Sequence, residues 1–338
     1  MIKNYLNKVI EKENLSINES YDAMIRVMSG EVSQVLLSGF LIALKSKGET
    51  AEEVAGFVRA MREKSIKIKI DDENTIDVCG TGGDSSGTFN ISTAVAFVVS
   101  GTGIKVAKHG NRSVSSNTGS ADVLKEMGVN IEMSPQQSEI ALNKIGITFL
   151  FAPLYHPAMK HAAATRKELG IRTIFNVLGP LTNPANVKRQ LIGTFNDKTA
   201  ELLRDAAQNL GYTKVKFVCN ANKYDEIFLD DDTKVYAYDS KQGESDYSLT
   251  NNDFLYPRIT KEFLLSNNSR ESANTVLGVL QNSFSNGAFH TVAANVAIAL
   301  KCAGFSNSLE NCISAAEESI CSGAAFNKLK ALIELSNK

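Results

Sequence analysis

The chain has 338 residues, 43% of them hydrophobic and 22% charged, and its 36 basic and 37 acidic residues give a formal net charge of -1. This composition is typical of a globular protein, and the near-zero charge excludes a broad electrostatic case for binding nucleic acid or a membrane surface. A chain of this length is expected to form one large domain and a smaller one.

The cysteines and the N-terminal residues indicate the cellular compartment in which the protein is expected. The five cysteines are widely scattered, and no pair has the spacing of a zinc site. The N-terminus has no apolar signal-peptide core, and no run of about 20 uncharged apolar residues predicts a membrane span. We therefore expect reduced thiols in a cytoplasmic protein.

The first part of the chain, up to about residue 65, predicts only helices, because apolar residues recur there at helical spacing. Thr50 and Glu53 have the spacing of a capping box and predict the start of one of these helices. We expect a small all-helical domain over residues 1–70, joined by part of the 160–195 region.

The pattern then changes, because strand-like and helical segments alternate over residues 71–338. This alternation predicts an α/β domain with a mainly parallel sheet flanked by helices. Strands are expected at 75–79, 104–107, 147–151, 190–195 and 215–220. A short hairpin is expected from 227–229 and 234–238, and helices are expected over 271–336.

A glycine-rich loop, Gly80 to Asp84, follows the first predicted strand. Glycines let the backbone turn sharply and present its N–H groups to phosphate oxygens. A helix is predicted to begin at Ile91, and its N-terminus suits an anion. A plain strand–turn–helix connection with Asn90 as the N-cap explains the same residues, and glycine loops alone are weak evidence.

A second polar loop is expected after the next predicted strand. Residues 108–116 contain two cations, an amide and three hydroxyls, with Ser120 nearby. Lysine and arginine can neutralise a phosphorylated ligand, and ligands of open parallel sheets lie beyond the carboxyl ends of the strands. The two loops together favour a phosphorylated small molecule over a solvated basic loop.

Several longer motifs now carry a resemblance to a known family. The chain resembles the anthranilate phosphoribosyltransferases over nearly its whole length, most densely from 76 to 195, through motifs at 77–128, 151–153, 156–160, 168–176 and 178–184. The resemblance implies the fold described above and binding of phosphoribosyl pyrophosphate together with Mg²⁺. It also implies these donor-binding residues: Gly80, Gly83, Asp84, Thr88, Asn90, Ile91, Ser92, Thr93, Lys108, His109, Gly110, Asn111, Arg112, Ser113, Val114, Ser115, Ser116 and Ser120.

The remaining roles are also implied by the resemblance. Anthranilate would be bound by Gly80, Asn111 and Arg166, and the metal by Ser92, Asp225 and Glu226. Lys108 would stabilise the leaving pyrophosphate, and His109 would assist or shape the pocket rather than act as a strong base. From spacing alone, Arg166 is a solvated helix residue and the Asp225-Glu226 pair is surface charge.

The chain departs from the family pattern at three places. Ala164 stands where the family usually has proline, Lys223-Tyr224 stands where it has Gly-Leu, and Phe228 replaces a small polar residue. These departures predict a change in the helix entry beside Arg166 and in the shape of the loop that carries the acidic pair.

The resemblance implies transfer of a phosphoribosyl group to the amine of anthranilate, in tryptophan biosynthesis, by a homodimer that forms through the N-terminal helices. Two alternatives remain open at this stage. One is a pyrimidine nucleoside phosphorylase, and the other is a non-enzymatic relative that binds nucleic acid. Neither nucleic acid nor a membrane is an expected partner.

Overall fold

The N-terminal region is helical, as expected. The computed structural model describes residues 2–84, 86–112, 118–283 and 287–338. The chain begins with α1 (Ile2–Ile10), α2 (Ile17–Met28), α3 (Gln34–Lys47) and α4 (Ala51–Glu63). Thr50 caps α4, and the predicted capping box with Glu53 is present. The Glu53 carboxylate is fully buried and also pairs with Lys47 at 3.0 Å, which ties the start of α4 to the end of α3.

The second region contains one seven-stranded sheet. Its strands are β1 (Ile76–Gly80), β2 (Val106–Gly110), β3 (Ile147–Phe151), β4 (Arg189–Gly193), β5 (Lys214–Asn220), β6 (Thr233–Asp239) and β7 (Gly243–Leu249). The strand order is β3-β2-β1-β4-β5-β6-β7. The first five strands are parallel and the last two are antiparallel. The predicted fold class is therefore confirmed.

Helices connect and cover the strands. They are α5 (Ile91–Gly101), α6 (Ser120–Glu126), α7 (Pro135–Ile145), α8 (Ala152–Tyr155), α9 (Lys160–Leu169), α10 (Phe175–Leu178), α11 (Asp197–Gln208), α12 (Ser269–Leu280), α13 (Gly287–Ala303), α14 (Leu309–Cys321) and α15 (Ala324–Ser336). Within the described residues, no helix is both long enough and apolar enough to cross a membrane.

Several details differ from the prediction. The expected hairpin from 227–229 and 234–238 is wrong, because β6 pairs with β5 and β7 instead. Strand β7 was not predicted from the sequence, because most of its side chains face solvent at the sheet edge and show no apolar alternation. β2 begins two residues later than expected and continues to Gly110, so Lys108 and His109 belong to the strand and not to the loop.

The two largest hydrophobic cores lie on opposite faces of the sheet. One contains Val78 of β1 and Leu191 of β4, packed with α5 and α12–α15. The other contains Ile192 and Phe217, packed with the four N-terminal helices and with α9, α10 and α11. α9 packs against α2 and α3, and the joining of part of the 160–195 region to the helical domain stays a proposal.

Candidate active site

The candidate site lies at the carboxyl edge of the parallel strands, where β1, β2 and β4 each end in glycine. The loop after β1 turns through Gly82 and Gly83, whose φ angles are +68° and +75°. Such values strain any residue with a β-carbon, so glycine is required for this turn. The Gly82 N–H donates to Asp225 Oδ2 at 2.9 Å, which places the acidic pair directly against the glycine loop.

The N-terminus of α5 continues this edge. Asn90 is its N-cap, as expected, and its Oδ1 accepts from the Thr93 N–H at 3.1 Å and from the Thr93 hydroxyl at 2.6 Å. The cap leaves the Ser92 hydroxyl at the mouth of the site, where it also approaches Asn90 Oδ1 at 3.4 Å. The positive end of the helix dipole favours a bound anion here.

Lys108 reaches into this same place from β2. It is only 3% exposed, and its ammonium donates to the Val78 carbonyl at 2.7 Å and to Ser92 Oγ at 3.0 Å. Burial lowers the pKa of Lys108, and the carboxylates of Asp77 and Glu226 oppose that shift. The ammonium is thus held at the start of α5, where it adds positive charge to that of the helix end.

His109 lies on the other face of the sheet. Its backbone N–H donates to Asp77 Oδ1 at 3.1 Å, and its ring centroid is 5.2 Å from that of His156. Burial, followed by the neighbouring His156, lowers the pKa of His109 well below its usual range. The imidazole is therefore neutral at neutral pH, and its buried Nε2 has no hydrogen-bond partner within the residues that the structure describes.

Asp77, which the sequence reasoning missed, supports the His109 backbone. Its carboxylate is fully buried, and Oδ2 accepts from Asn183 Nδ2 at 2.8 Å and from Gln190 Nε2 at 2.9 Å. Burial raises the pKa of Asp77, while these hydrogen bonds and the charge of Lys108 lower it. Only the tertiary structure reveals this network, because Asn183 and Gln190 each lie more than 100 residues from Asp77 in the chain.

The Asp225-Glu226 pair is brought to the sheet edge by close packing of backbone. A β-carbon on Gly193 would overlap the Asp225 carbonyl oxygen, and one on Gly80 would lie 2.5 Å from Asp225 Oδ2. Ala221 and Asn222, in the turn before the pair, have positive φ angles. Asn220 and Tyr224, at the two ends of this turn, form an isolated antiparallel β-bridge. The pair that spacing alone would treat as surface charge therefore lies across the ends of β1 and β4.

The electrostatics of this pair suit a cation. Burial raises the pKa of Asp225, and the negative charge of Asp84 raises it further. Burial and then Asp225 raise the pKa of Glu226 well above its usual range, while Lys108 opposes the shift. Asp84 Oδ2 is buried without a hydrogen-bond partner in the described part of the chain. Clustered carboxylates that repel one another are hard oxygen ligands of the kind Mg²⁺ prefers, so these residues fit the implied metal.

Across the described ranges, no three His, Cys, Asp or Glu side chains converge as a preformed metal cluster. The implied ligands instead come from separate elements. Ser92 lies on α5 and the acidic pair follows β5, and Ser92, Glu226 and Gly193 line one small cavity between them. This arrangement is typical of Mg²⁺ sites that rely on substrate phosphates and water for part of the coordination.

The departures around the pair form a compact cluster. The rings of Tyr224 and Phe228 meet edge to face at 5.6 Å, and Lys261 Nζ lies 3.0 Å from the Tyr224 ring centroid. Hydrogen bonds with Lys261 and then Lys223 lower the pKa of Tyr224. Phe228 is only 1% exposed, so it fills the core beneath the loop.

Arg166 lies on α9, on the side of the helical domain. It is half-buried, and its guanidinium carbon is 5.3 Å from the ring centroid of Phe175. Burial lowers the pKa of Arg166. With Ala164 in place of proline, α9 is continuous from Lys160 to Leu169, and the described structure shows no hydrogen bond from Arg166 to Asn111 or Gly80.

Arg172 is a second residue that the sequence reasoning missed, although it lies in one of the quoted motifs. Its guanidinium donates to the Gly83 carbonyl and lies 4.4 Å from the ring centroid of Phe195. A β-carbon on Gly83 would meet this guanidinium at 3.1 Å. Arg172 therefore connects the glycine loop to the segment that follows α9.

The second polar loop is only partly described. Asn111 and Arg112 are exposed, and the Asn111 carbonyl accepts from the Ala121 N–H at 3.2 Å and from the Ser120 hydroxyl at 3.4 Å. The predicted donor residues Ser113, Val114, Ser115 and Ser116 lie outside the described residues. Thr88 and Ile91 lie beside the glycine loop and at the first turn of α5.

Comparison with known proteins shows which family this chain resembles. Residues 3–65 match the helical bundle domain of a glycosyl transferase family, and residues 72–326 match the a/b domain of a glycosyl transferase family. The anthranilate phosphoribosyltransferase of Petrotoga mobilis is 44% identical over 337 residues, which cover 100% of this chain and 97% of that protein. The enzyme of the same name from Alkaliphilus metalliredigens is 41% identical over 339 residues, with 100% and 99% covered.

Solved structures agree with this assignment. The anthranilate phosphoribosyltransferase of Thermus thermophilus superposes with a TM-score of 0.91 at 35% identity, over 98% of this chain and 99% of that one. The enzyme of Saccharomyces cerevisiae, solved in complex with PRPP and Mg, has a TM-score of 0.91 at 26% identity, over 99% and 98%.

Proposed function

Because the chain belongs to the anthranilate phosphoribosyltransferase family, we propose that it transfers the phosphoribosyl group of phosphoribosyl pyrophosphate to the amine of anthranilate. The products are N-(5-phosphoribosyl)anthranilate and pyrophosphate, in tryptophan biosynthesis. The observation that carries the proposal is the meeting of the Lys108 ammonium, the Ser92 hydroxyl and the Asp225-Glu226 pair at one edge of the sheet. A relative at 44% identity over the full chain favours this activity over a nucleoside phosphorylase or a nucleic-acid-binding protein.

The donor is assigned to the α5 side of the sheet. The glycine loop and the first turn of α5 supply backbone N–H groups for the pyrophosphate, with Lys108 beside them. In the reaction the amine nitrogen forms a bond to the anomeric carbon as the bond from that carbon to the pyrophosphate oxygen breaks. The electron pair leaves with pyrophosphate, and the amine nitrogen then loses a proton.

Negative charge grows on the leaving group while the sugar gains oxocarbenium character, so catalysis depends on charge stabilisation and positioning more than on a strong base. Lys108 provides a buried positive charge that needs little reorganisation during the reaction. The neutral imidazole of His109 shapes the pocket and does not carry a positive charge toward the amine.

Mg²⁺ is the proposed cofactor, held by Ser92, Asp225 and Glu226. When bound, it would neutralise pyrophosphate charge and act as a Lewis acid toward the leaving group. The raised pKa values of the two carboxyl groups support this assignment, since a cation relieves their mutual repulsion.

Anthranilate is assigned to the side of the helical domain, near Gly80, Asn111 and Arg166. A guanidinium fork suits a carboxylate in two-point fashion, and Arg166 lies on that side. The stack on Phe175 holds the guanidinium plane in place.

A homodimer through the N-terminal helices is also part of the proposal. A groove between α1 and α3 is lined by Val9, Ile10, Lys12, Ser38, Gly39, Ile42, Ala43 and Ser46. Val35, also on α3, is 82% exposed, and Ile10 is 55% exposed. Contiguous exposed apolar surface of this kind is typical of an association site. A cytoplasmic location stays a prediction from the sequence.

The direct test mixes the protein with phosphoribosyl pyrophosphate, Mg²⁺ and anthranilate and follows the loss of anthranilate fluorescence. We expect turnover that requires all three components. A parallel reaction with thymidine and phosphate tests the phosphorylase alternative. Absence of anthranilate consumption at every Mg²⁺ concentration would overturn the proposed activity.

A further inference from the structure

Asn295 is a fully buried polar residue in α13, an alanine-rich helix that the sequence analysis left without a role. It is 1% exposed. Its Oδ1 accepts from the Ile227 N–H at 3.0 Å, and its Nδ2 donates to the Ile227 carbonyl at 2.8 Å and to the Thr291 carbonyl at 2.9 Å. Burying an amide is costly unless it is hydrogen-bonded, and here each bond is made inside the core.

The partner of this amide lies directly after the acidic pair. Ile227 is 0% exposed and belongs to no strand, so its backbone groups have no sheet ladder to pair with. Asn295 supplies both an acceptor and a donor to that one residue, as a neighbouring strand would. The bond to Thr291 in turn fixes the amide against its own helix.

The other end of the segment is fixed independently. Tyr224 pairs with Asn220 through two backbone hydrogen bonds of 2.9 and 3.0 Å. The two residues between the fixed points are Asp225 and Glu226, and the backbone of Asp225 also lies against Gly193. Asn295 therefore completes a frame that leaves the pair little conformational freedom.

We propose that Asn295 is a positioning residue that holds Asp225 and Glu226 in the orientation that binds Mg²⁺. This inference rests on the proposed function. Asn295 lines the same small cavity as Ser92 and Glu226, so the frame and the implied metal ligands are contiguous. Groups that orient metal ligands commonly change metal affinity by about 10–100-fold when removed.

The test compares Asn295→Ala and Asn295→Thr with Ser319→Ala. The threonine variant fills most of the space and can still bond the Thr291 carbonyl, but it cannot pair both backbone groups of Ile227. Ser319 is a matched control, because its buried hydroxyl donates to the Val98 carbonyl at 2.8 Å between two other core helices. Three quantities are measured: Mn²⁺ binding by electron paramagnetic resonance with phosphoribosyl pyrophosphate present, the Mg²⁺ concentration for half-maximal turnover, and amide exchange in the peptide that contains Ile227.

We expect both Asn295 variants to weaken Mn²⁺ binding and to raise the Mg²⁺ requirement by about 10–100-fold. Exchange at Ile227 should accelerate, and the KM for anthranilate should stay within about twofold, since removing a group that orients metal ligands weakens metal binding alone. Ser319→Ala should match the wild type in all of these. Wild-type Mn²⁺ affinity in the Asn295 variants, or a parallel loss of metal and anthranilate binding, overturns the inference. If the wild type itself binds no Mn²⁺ with the donor present, the metal role of the acidic pair fails and this role of Asn295 fails with it.

Discussion

The side chains of Lys108 and His109 leave the end of β2 on opposite faces of the sheet. Lys108 contacts Ser92 on the α5 side, whereas the ring of His109 packs near His156 on the side of the helical domain. Successive side chains of a strand point to opposite faces of the sheet, so Lys108 and His109 cannot both line the same side of the site. We assign Lys108 to the donor and His109 to the surroundings of the acceptor.

Lys108→Met is expected to abolish most turnover without unfolding the protein. Methionine has a similar length and fills the same space, but it takes a positive charge away from Asp77 and Glu226 and is expected to lower stability, so the melting temperature is measured beside turnover. Because one preorganised donor commonly contributes about 10²–10³ in rate, we expect kcat to fall by that factor, measured by anthranilate fluorescence. Lys105→Met, just before the strand, is the control and should retain wild-type kcat. Equal rates for the two variants would remove Lys108 from the mechanism.

Stability should fall in mild acid because His156 is buried in its neutral form. Burial lowers the pKa of His156 to about 4, below the ordinary value of 6.5. Between these values the unfolded state binds more protons, so the free energy of unfolding falls as the pH falls. Relative to His156→Gln, the wild type should lose about 2 kcal/mol between pH 7 and pH 5. Urea unfolding at both pH values measures this, and parallel pH dependence in the two proteins would contradict it.

Gly193→Ala should displace the acidic pair through its contact with the Asp225 backbone. The new methyl group would overlap the Asp225 carbonyl, so the Asp225-Glu226 segment must shift. We expect the Mg²⁺ concentration for half-maximal activity to rise at least about 10-fold. Ile192→Val is the control for simple loss of strand stability, since it costs about 1 kcal/mol of unfolding free energy without touching the pair. An unchanged Mg²⁺ requirement in Gly193→Ala would argue against the packing described here.

Arg172→Ala should weaken donor binding. The substitution removes the contact to the Gly83 carbonyl and the stack on Phe195, and the exposure of Arg172 keeps the effect modest. A loss of roughly 1 kcal/mol corresponds to a rise of about fivefold in the KM for phosphoribosyl pyrophosphate. Arg172→Lys keeps the charge without the planar stack and should also raise this KM. If lysine restores wild-type kinetics, charge alone accounts for the role of Arg172.

Ile42→Asp should convert the proposed dimer to a monomer. Ile42 lines the groove between α1 and α3 and is 41% exposed in the single chain. A carboxylate buried there without a partner opposes association. Sedimentation at micromolar concentration should give a dimer for the wild type and a monomer for the variant. Ile140→Asp, at a similarly exposed isoleucine of α7, should remain dimeric, and a monomeric wild type would reject the interface.

Local patterns predicted much of the fold correctly. The capping box of Thr50 and Glu53, the N-cap at Asn90 and strand β3 are confirmed, because each depends on residues close together in the chain. Strand β7 was missed because an exposed edge strand has no apolar alternation to detect. The early end predicted for β2 has a similar cause, since Lys108 and His109 look like loop residues until β3 pairs with them.

The candidate site shows the same division. The glycine loop, the first turn of α5 and Lys108 could be recognised from residue types and their order, since backbone freedom, helix ends and cations are properties of short segments. Asp77, Arg172 and Asn295 could not, because each acts through a contact with a residue far away in the chain. Sequence thus specified the chemistry of the Gly80 to Thr93 region. Only the tertiary structure decided which face of the sheet each side chain serves and how the Asp225-Glu226 pair is held, because strand pairing and core packing bring distant residues together.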